Sequence, residues 1–250
     1  HRIFLPLAVS RIYLAVLILA GRQLLRLFLE ERQMSAPIPF IQRTSMCLVL
    51  GSALWMVLVC LVSLTGHGGL MLWRGLAAVM ALMAVFLEIL WGRRNKQVLP
   101  GAWLKAVKNS ADKGRSESMT QAALLAYIIT MVLIQAGRMN IELDYDSLHY
   151  GLRSAYVLDN GKGIYENLGM INLVYTYSKG LEVLVLPLSG TPTYGFVLAF
   201  SLWCTVGILL LAADIVGRYC GQVKGILAAA ILAAIPGIMN MAATAKSALG

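Results

Sequence analysis

The strongest constraint on this chain is a set of apolar runs long enough to cross a bilayer. They cover residues 47–66, 69–91, 120–137, 193–217 and 225–241, preceded by an apolar stretch at 3–20. A helix rises about 1.5 Å per residue and the hydrocarbon layer is about 30 Å thick, so roughly 20 apolar residues span it. A transmembrane barrel would show alternating segments of about 10 residues instead. Backbone polar groups in lipid must be bonded within the protein, and uninterrupted apolar runs achieve that as helices. The expected class is all-α, a polytopic transmembrane helical bundle. Composition agrees, with 59% hydrophobic and 13% charged residues and a mean hydropathy of +0.74.

Charge gives the orientation. The polar connection at 93–119 carries Arg93, Arg94, Lys96, Lys105, Lys108, Lys113 and Arg115 against Asp112 and Glu117, so the positive-inside rule makes it cytoplasmic. The arginine-rich loop at 30–46 is two crossings away and falls on the same side, which leaves the "GHGG" turn at 66–69 outside. Three parts follow: N-terminal spans in 1–92, the basic loop 93–119, and a core at 120–250. In that core an outer loop, 138–192, separates the span 120–137 from those at 193–217 and 225–241, with Pro236 a candidate kink. Lys179 and Glu182 make a crossing at 169–190 expensive, about 2.5 kcal/mol or more for the lysine. Residues 165–190 are therefore expected along the outer interface, and "NMAATAKSALG" returns to the outer face. Beginning at His1 and stopping just after an apolar segment, the chain reads as part of a longer polypeptide, with its core incomplete at the C-terminus.

The net charge of +9 belongs to loops that orient helices and meet anionic lipid, so no nucleic-acid partner is implied. Cys47, Cys60, Cys204 and Cys220 form no C-x-x-C pair, and free thiols are expected. No phosphate loop, zinc pattern or nucleophile elbow is present. Among charges within spans, Arg74 and Glu88 are expected to snorkel from helix ends, and Asp214 to pair with Arg218 one helical turn on.

The stretch that departs from this apolar pattern is "DYDSLHYGLRSAY", residues 144–156, in the outer loop. If the segment is extended, the two-residue spacing would put the Asp144 and Asp146 side chains on one side, with their Cα atoms about 6–7 Å apart. Such a pair can share a proton, bind a cation or deprotonate a hydroxyl; a solvated acidic loop is the alternative. From Ser147 the apolar residues recur as on one face of an interfacial helix, with His149, Arg153 and Tyr156 elsewhere around it. That would hold the carboxylates at headgroup depth.

The acidic pair after a spanning helix, then "DSLHYGL", "KGLEVLVLPLSG" and a proline-containing helix ending in "ATAKS", resembles the GT-C superfamily of integral membrane glycosyltransferases, including relatives of the protein mannosyltransferases and aminoarabinose transferase. The resemblance covers about residues 120–250. It implies a GT-C-like bundle with amphipathic interfacial helices in the first outer loop. The implied activity moves a sugar from a polyprenyl-phosphate carrier to a glycan, lipid or protein acceptor at the outer face of a bacterial cytoplasmic membrane. Asp146 or Asp144 would be the general base, and Lys246 and Arg153 the cations for the leaving phosphate, with His149 orienting a carboxylate or substrate. A divalent metal at Asp144 and Asp146 is compatible with this chemistry and not required by the sequence. Ala248 stands where the resemblance implies an acidic residue. The competing readings are a transporter or lipid flippase, which predicts broken helices in paired repeats, and a noncatalytic subunit of an envelope-polysaccharide assembly.

Overall fold

The computed structural model describes residues 3–28, 38–94, 115–139, 160–165, 180–189 and 195–242. Its elements in order are α1 (Phe4–Phe28), α2 (Phe40–Ser63), β1 (Gly68–Gly69), α3 (Leu70–Arg94), α4 (Arg115–Arg138), β2 (Asn160–Gly161), α5 (Gly180–Leu184), a 3-10 turn at Leu186–Leu188, α6 (Gly195–Cys220), α7 (Gln222–Ala234) and α8 (Pro236–Met241). Among the described residues 88% are helical, and the strands are two residues each, so the all-α class stands.

Five helices are long and apolar enough to cross a membrane: Phe4–Leu27, Phe40–Ser63, Leu70–Trp91, Met119–Arg138 and Gly195–Cys220. They indicate an integral membrane protein. Their outward faces are apolar, with Leu82 71% and Leu133 64% exposed, as lipid contact requires. Hydroxyls within the spans bond back to the carbonyl four residues earlier, as in Thr44 to Phe40 and Thr130 to Ala126, so they present no unmet donor to lipid.

The sixth expected span is not one continuous helix. The residue before a proline is pushed out of the helical region, and Ile235, before Pro236, is extended with φ −76° and ψ 113°. What sequence periodicity joins as 225–241 is thus a 13-residue helix, about 20 Å long, followed by the 6-residue α8.

Antiparallel helix pairs build the bundle from close glycine contacts. In α1 and α2, a Cβ on Gly21 would strike the Cys47 carbonyl, and one on Gly51 the Leu17 carbonyl. Glycine here lets two backbones touch where lipid offers no hydrophobic drive for association. The α6–α7 hairpin repeats the device, since a Cβ on Gly225 would meet Ala213 and Gly217. It turns on the single residue Gly221, whose φ of +98° favours glycine. The α6 helix is central, with 44% of its span buried against 11% for α4. One side of it joins α1, α2 and α3 around Trp55, Trp73, Phe200 and Leu186; the other packs Leu209 against Ala229, Ala233 and Met239.

The bundle has two distinct ends. At the basic end, Glu88 of α3 accepts from Arg22 (2.9 Å), Arg26 (2.8 and 3.1 Å) and Gln23 (2.9 Å) of α1, and Arg26 stacks on Trp91. Glu88 therefore ties α1 to α3 rather than snorkelling. Asp214 takes both Arg218 contacts at 2.9 Å, the expected one-turn pair, and adds Gln42 of α2 at 3.2 Å. At the opposite end lie the "GHGG" turn and β1, whose Gly68 and Gly69 pair antiparallel with Gly161 and Asn160.

Gly51→Ala is expected to destabilise the protein by about 1–3 kcal/mol through overpacking, and Gly51→Val to prevent α1–α2 docking. Gly75→Ala, placed where a Cβ meets open space, serves as the control. Thermal unfolding in detergent checks this; equal midpoints for Gly51→Ala and Gly75→Ala would show that the glycine contact does not hold α1 to α2.

Candidate functional site

The five residues singled out for chemistry, Asp144, Asp146, His149, Arg153 and Lys246, lie outside the described residues, as does the expected interfacial helix after Ser147. The described residues that flank them lie together. Arg138, at the end of α4, donates to the Asn240 side chain of α8 at 3.1 Å and to Gln135 at 3.0 Å. Met139 and Ala242, the last described residues before 140–159 and 243–250, are both buried, at 1% and 0% exposure. On the far side of 140–159, Asn160 and Gly161 pair with the "GHGG" turn. Ile164 then donates its backbone N–H to Ser63 Oγ at 3.2 Å. The described residues that precede the acidic pair and the lysine in the chain therefore stand at one end of the bundle.

That end is closed by residues 180–189. Part of the segment expected along the interface lies inside the bundle: Val185, Leu186 and Leu188 are 4% exposed or less. The reason is the pattern "LEVLVLPLS", which is apolar throughout, with Glu182 as its only charge, and has no polar face to turn to water. Glu182 is 4% exposed, so it is enclosed by protein rather than lipid, the usual arrangement for a charge at such depth.

A helix as short as α5 leaves most of its carbonyls without helical partners. Three neighbouring helices supply donors. Tyr13 Oη of α1 donates to the Leu184 carbonyl at 2.7 Å, and Trp55 Nε1 of α2 to the Val183 carbonyl at 2.9 Å. Arg74 of α3 donates through Nε to Pro187 (3.2 Å) and through Nη2 to Ser189 (3.0 Å). Ser189 Oγ turns back to the Val185 carbonyl at 3.2 Å. Trp55 stands eight residues from the end of α2, and Tyr13 nine from the start of α1, so the segment reaches about 12 Å into the bundle. Non-helical backbone is tolerated at that depth when protein bonds it.

Arg74 is therefore a crosslink, where the sequence alone implied snorkelling. Tyr13 and Ser10, whose Oγ donates to the Phe196 carbonyl at 2.6 Å, went unnoticed in the sequence. The available signal was a tyrosine, a serine and an arginine in the outer halves of apolar helices. Trp73, fully buried next to Arg74, has an indole N–H with no partner among the described residues. Among those residues no group of three or more His, Cys, Asp or Glu could hold a metal ion, and the metal considered for Asp144 and Asp146 falls outside them. The four cysteines are free thiols. Compared with known proteins, the chain matches no family model, no curated protein and no solved structure.

Tyr13→Phe, which deletes only the hydroxyl, is expected to cost about 1–3 kcal/mol by leaving the Leu184 carbonyl unbonded. Arg74→Met should cost more, because two carbonyls lose their donor. Thermal unfolding with circular dichroism should show lowered midpoints and unchanged helix content. Wild-type midpoints for both variants would mean that these donors do not hold the segment.

Proposed function

We propose that the protein is a membrane glycosyltransferase that moves a sugar from a polyprenyl-phosphate carrier to an acceptor at the outer face. The observation that carries the proposal is the Arg138–Asn240 contact at 3.1 Å, since it joins the helix leading to Asp144 and Asp146 with the one leading to Lys246. A transferase of this kind needs a carboxylate and a cation on the same side of the membrane. In this reading Asp146, or Asp144, accepts the acceptor hydroxyl's proton as its oxygen attacks the sugar carbon and the carrier phosphate leaves. Lys246 and Arg153 stabilise the charge on that phosphate, and His149 orients a carboxylate or substrate. The basic end, with Arg22, Arg26, Arg43, Arg218 and Lys224, is cytoplasmic by the positive-inside rule, which makes the "GHGG" end the outer one.

The break at Ile235 and the short elements at 180–188 favour a second reading, a transporter or lipid flippase, because interrupted helices line many substrate paths. The two interruptions differ in form, one a helix break before proline and the other a 3-10 turn, and the sequence holds no internal repeat. The transferase is therefore the preferred reading.

Asp146→Asn in the full-length protein, reconstituted with lipid-linked sugar, is expected to lower transfer about 10²–10⁴-fold with the fold intact. Lys246→Ala should reduce the polyprenyl phosphate that copurifies, measured by mass spectrometry. Undiminished transfer by Asp146→Asn would remove Asp146 as the base. Bulk phospholipid alone, unchanged across variants, would place the transporter first.

A further inference from the structure

We infer that the groove between α2 and α6 at the basic end is a binding site for an anionic glycerophospholipid, with one acyl chain in the groove and the phosphate at its mouth. This site lies at the opposite end from the proposed active site and does not rest on that reading. The groove has a volume of about 620 Å³, within the roughly 300–1,000 Å³ of small-molecule sites. Its walls are Gln42, Ser45, Met46, Val49 and Leu50 of α2, facing Leu211, Ile215 and Tyr219 of α6. α2 begins at the basic end and α6 finishes there, so the lining is ordered by depth. Gln42, Ser45 and Tyr219 stand at the mouth, and Val49, Leu50 and Leu211 about 10–12 Å further in. A polar mouth above an apolar floor matches an amphiphile aligned with the helices.

Charge selects the headgroup. At this end Glu88 takes up Arg22 and Arg26, while Arg218, paired with Asp214, and Lys224 stand on either side of Gly221, where α6 gives way to α7. Beside the groove, Arg218 is 48% exposed, and the Asp214 carboxylate that engages its Nε and Nη2 also accepts from Gln42 of the groove wall. A guanidinium carries five N–H donors in a fork suited to phosphate, so Nη1 keeps donors for a second anion. Tyr219, 86% exposed at the same mouth, adds a hydroxyl at headgroup level, where tyrosine is favoured. Basic side chains near a membrane surface each strengthen binding to anionic lipid, and a zwitterionic headgroup gains no such term.

The test is native mass spectrometry of the intact protein in detergent, titrated with phosphatidylglycerol or phosphatidylcholine of identical chains. Wild type should retain phosphatidylglycerol several-fold more tightly. Arg218→Gln should weaken phosphatidylglycerol about fivefold, leave phosphatidylcholine unchanged, and be rescued by Arg218→Lys. Val49→Trp and Leu211→Trp, which fill the groove, should abolish the preference, whereas Leu82→Trp on the lipid-facing side of α3 should preserve it. Equal affinity for the two lipids in wild type would overturn the inference. So would an undiminished preference in both groove-filling variants, or a change in oligomeric mass in place of a change in lipid binding, which would make the groove a contact between copies of the chain.

Discussion

The architecture depends on satisfying the carbonyls of residues 183–189. A segment that bends back inside a membrane protein exposes backbone acceptors where water is absent, and each unmet acceptor costs a large part of a domain's net stability. Here the acceptors are met by Tyr13, Trp55 and Arg74, one side chain from each of the first three helices. The segment and the three helices thus stabilise one another: without the segment those polar side chains would be buried unpaired, and without the helices the segment could not enter. The N-terminal helices are therefore structurally part of the core, although the sequence resemblance starts only at about residue 120.

The central α6 helix extends this dependence to the rest of the bundle. Its first turn receives the Ser10 hydroxyl at the Phe196 carbonyl, and Trp203 returns a bond to Leu7 at 3.0 Å while Arg11 stacks on its ring. Its last turns carry the Asp214–Arg218 pair and the contact to Gln42. Polar contacts hold α6 to the N-terminal helices at both ends, and small residues against α7 let it pack closely in between. This suits a lipid environment, in which apolar packing between helices gains little over packing against lipid tails.

Five of the six expected spans and the Asp214–Arg218 pair were legible in the sequence because each has a local signature: run length, hydropathy, or a four-residue spacing. What stayed hidden involves partners far apart in the chain. Nothing local in "LEVLVLPLS" says whether an apolar stretch crosses, lies flat or turns inward; the answer is set by donors at positions 13, 55 and 74. Arg74 and Glu88 look alike in sequence, as charges near the ends of one helix, yet one binds backbone carbonyls and the other two arginines. Pro236 was visible as an interruption, but whether it bends or breaks the helix depends on how Ile235 is held. For the proposed catalytic residues the sequence supplies identity and the structure supplies only the position of their flanks, at the end where Arg138 meets Asn240.

The break at Ile235 bears on that meeting. An uninterrupted helix would carry residues 236–241 straight on along the axis of α7, which already packs against both α6 and α4. With Ile235 extended, α8 starts afresh at Pro236, and its Met239 is buried with the α6–α7 contacts while Asn240 reaches α4. The same proline that shortens the last apolar helix therefore redirects its end, and Asn240 meets Arg138 where α4 closes. A chain needing only a sixth span would gain nothing from the break, which removes a helical hydrogen bond and exposes carbonyls. In the proposed transferase, which must bring two distant loops to one place, the redirected α8 adds the Arg138–Asn240 bond to the packing that α7 already makes on α4.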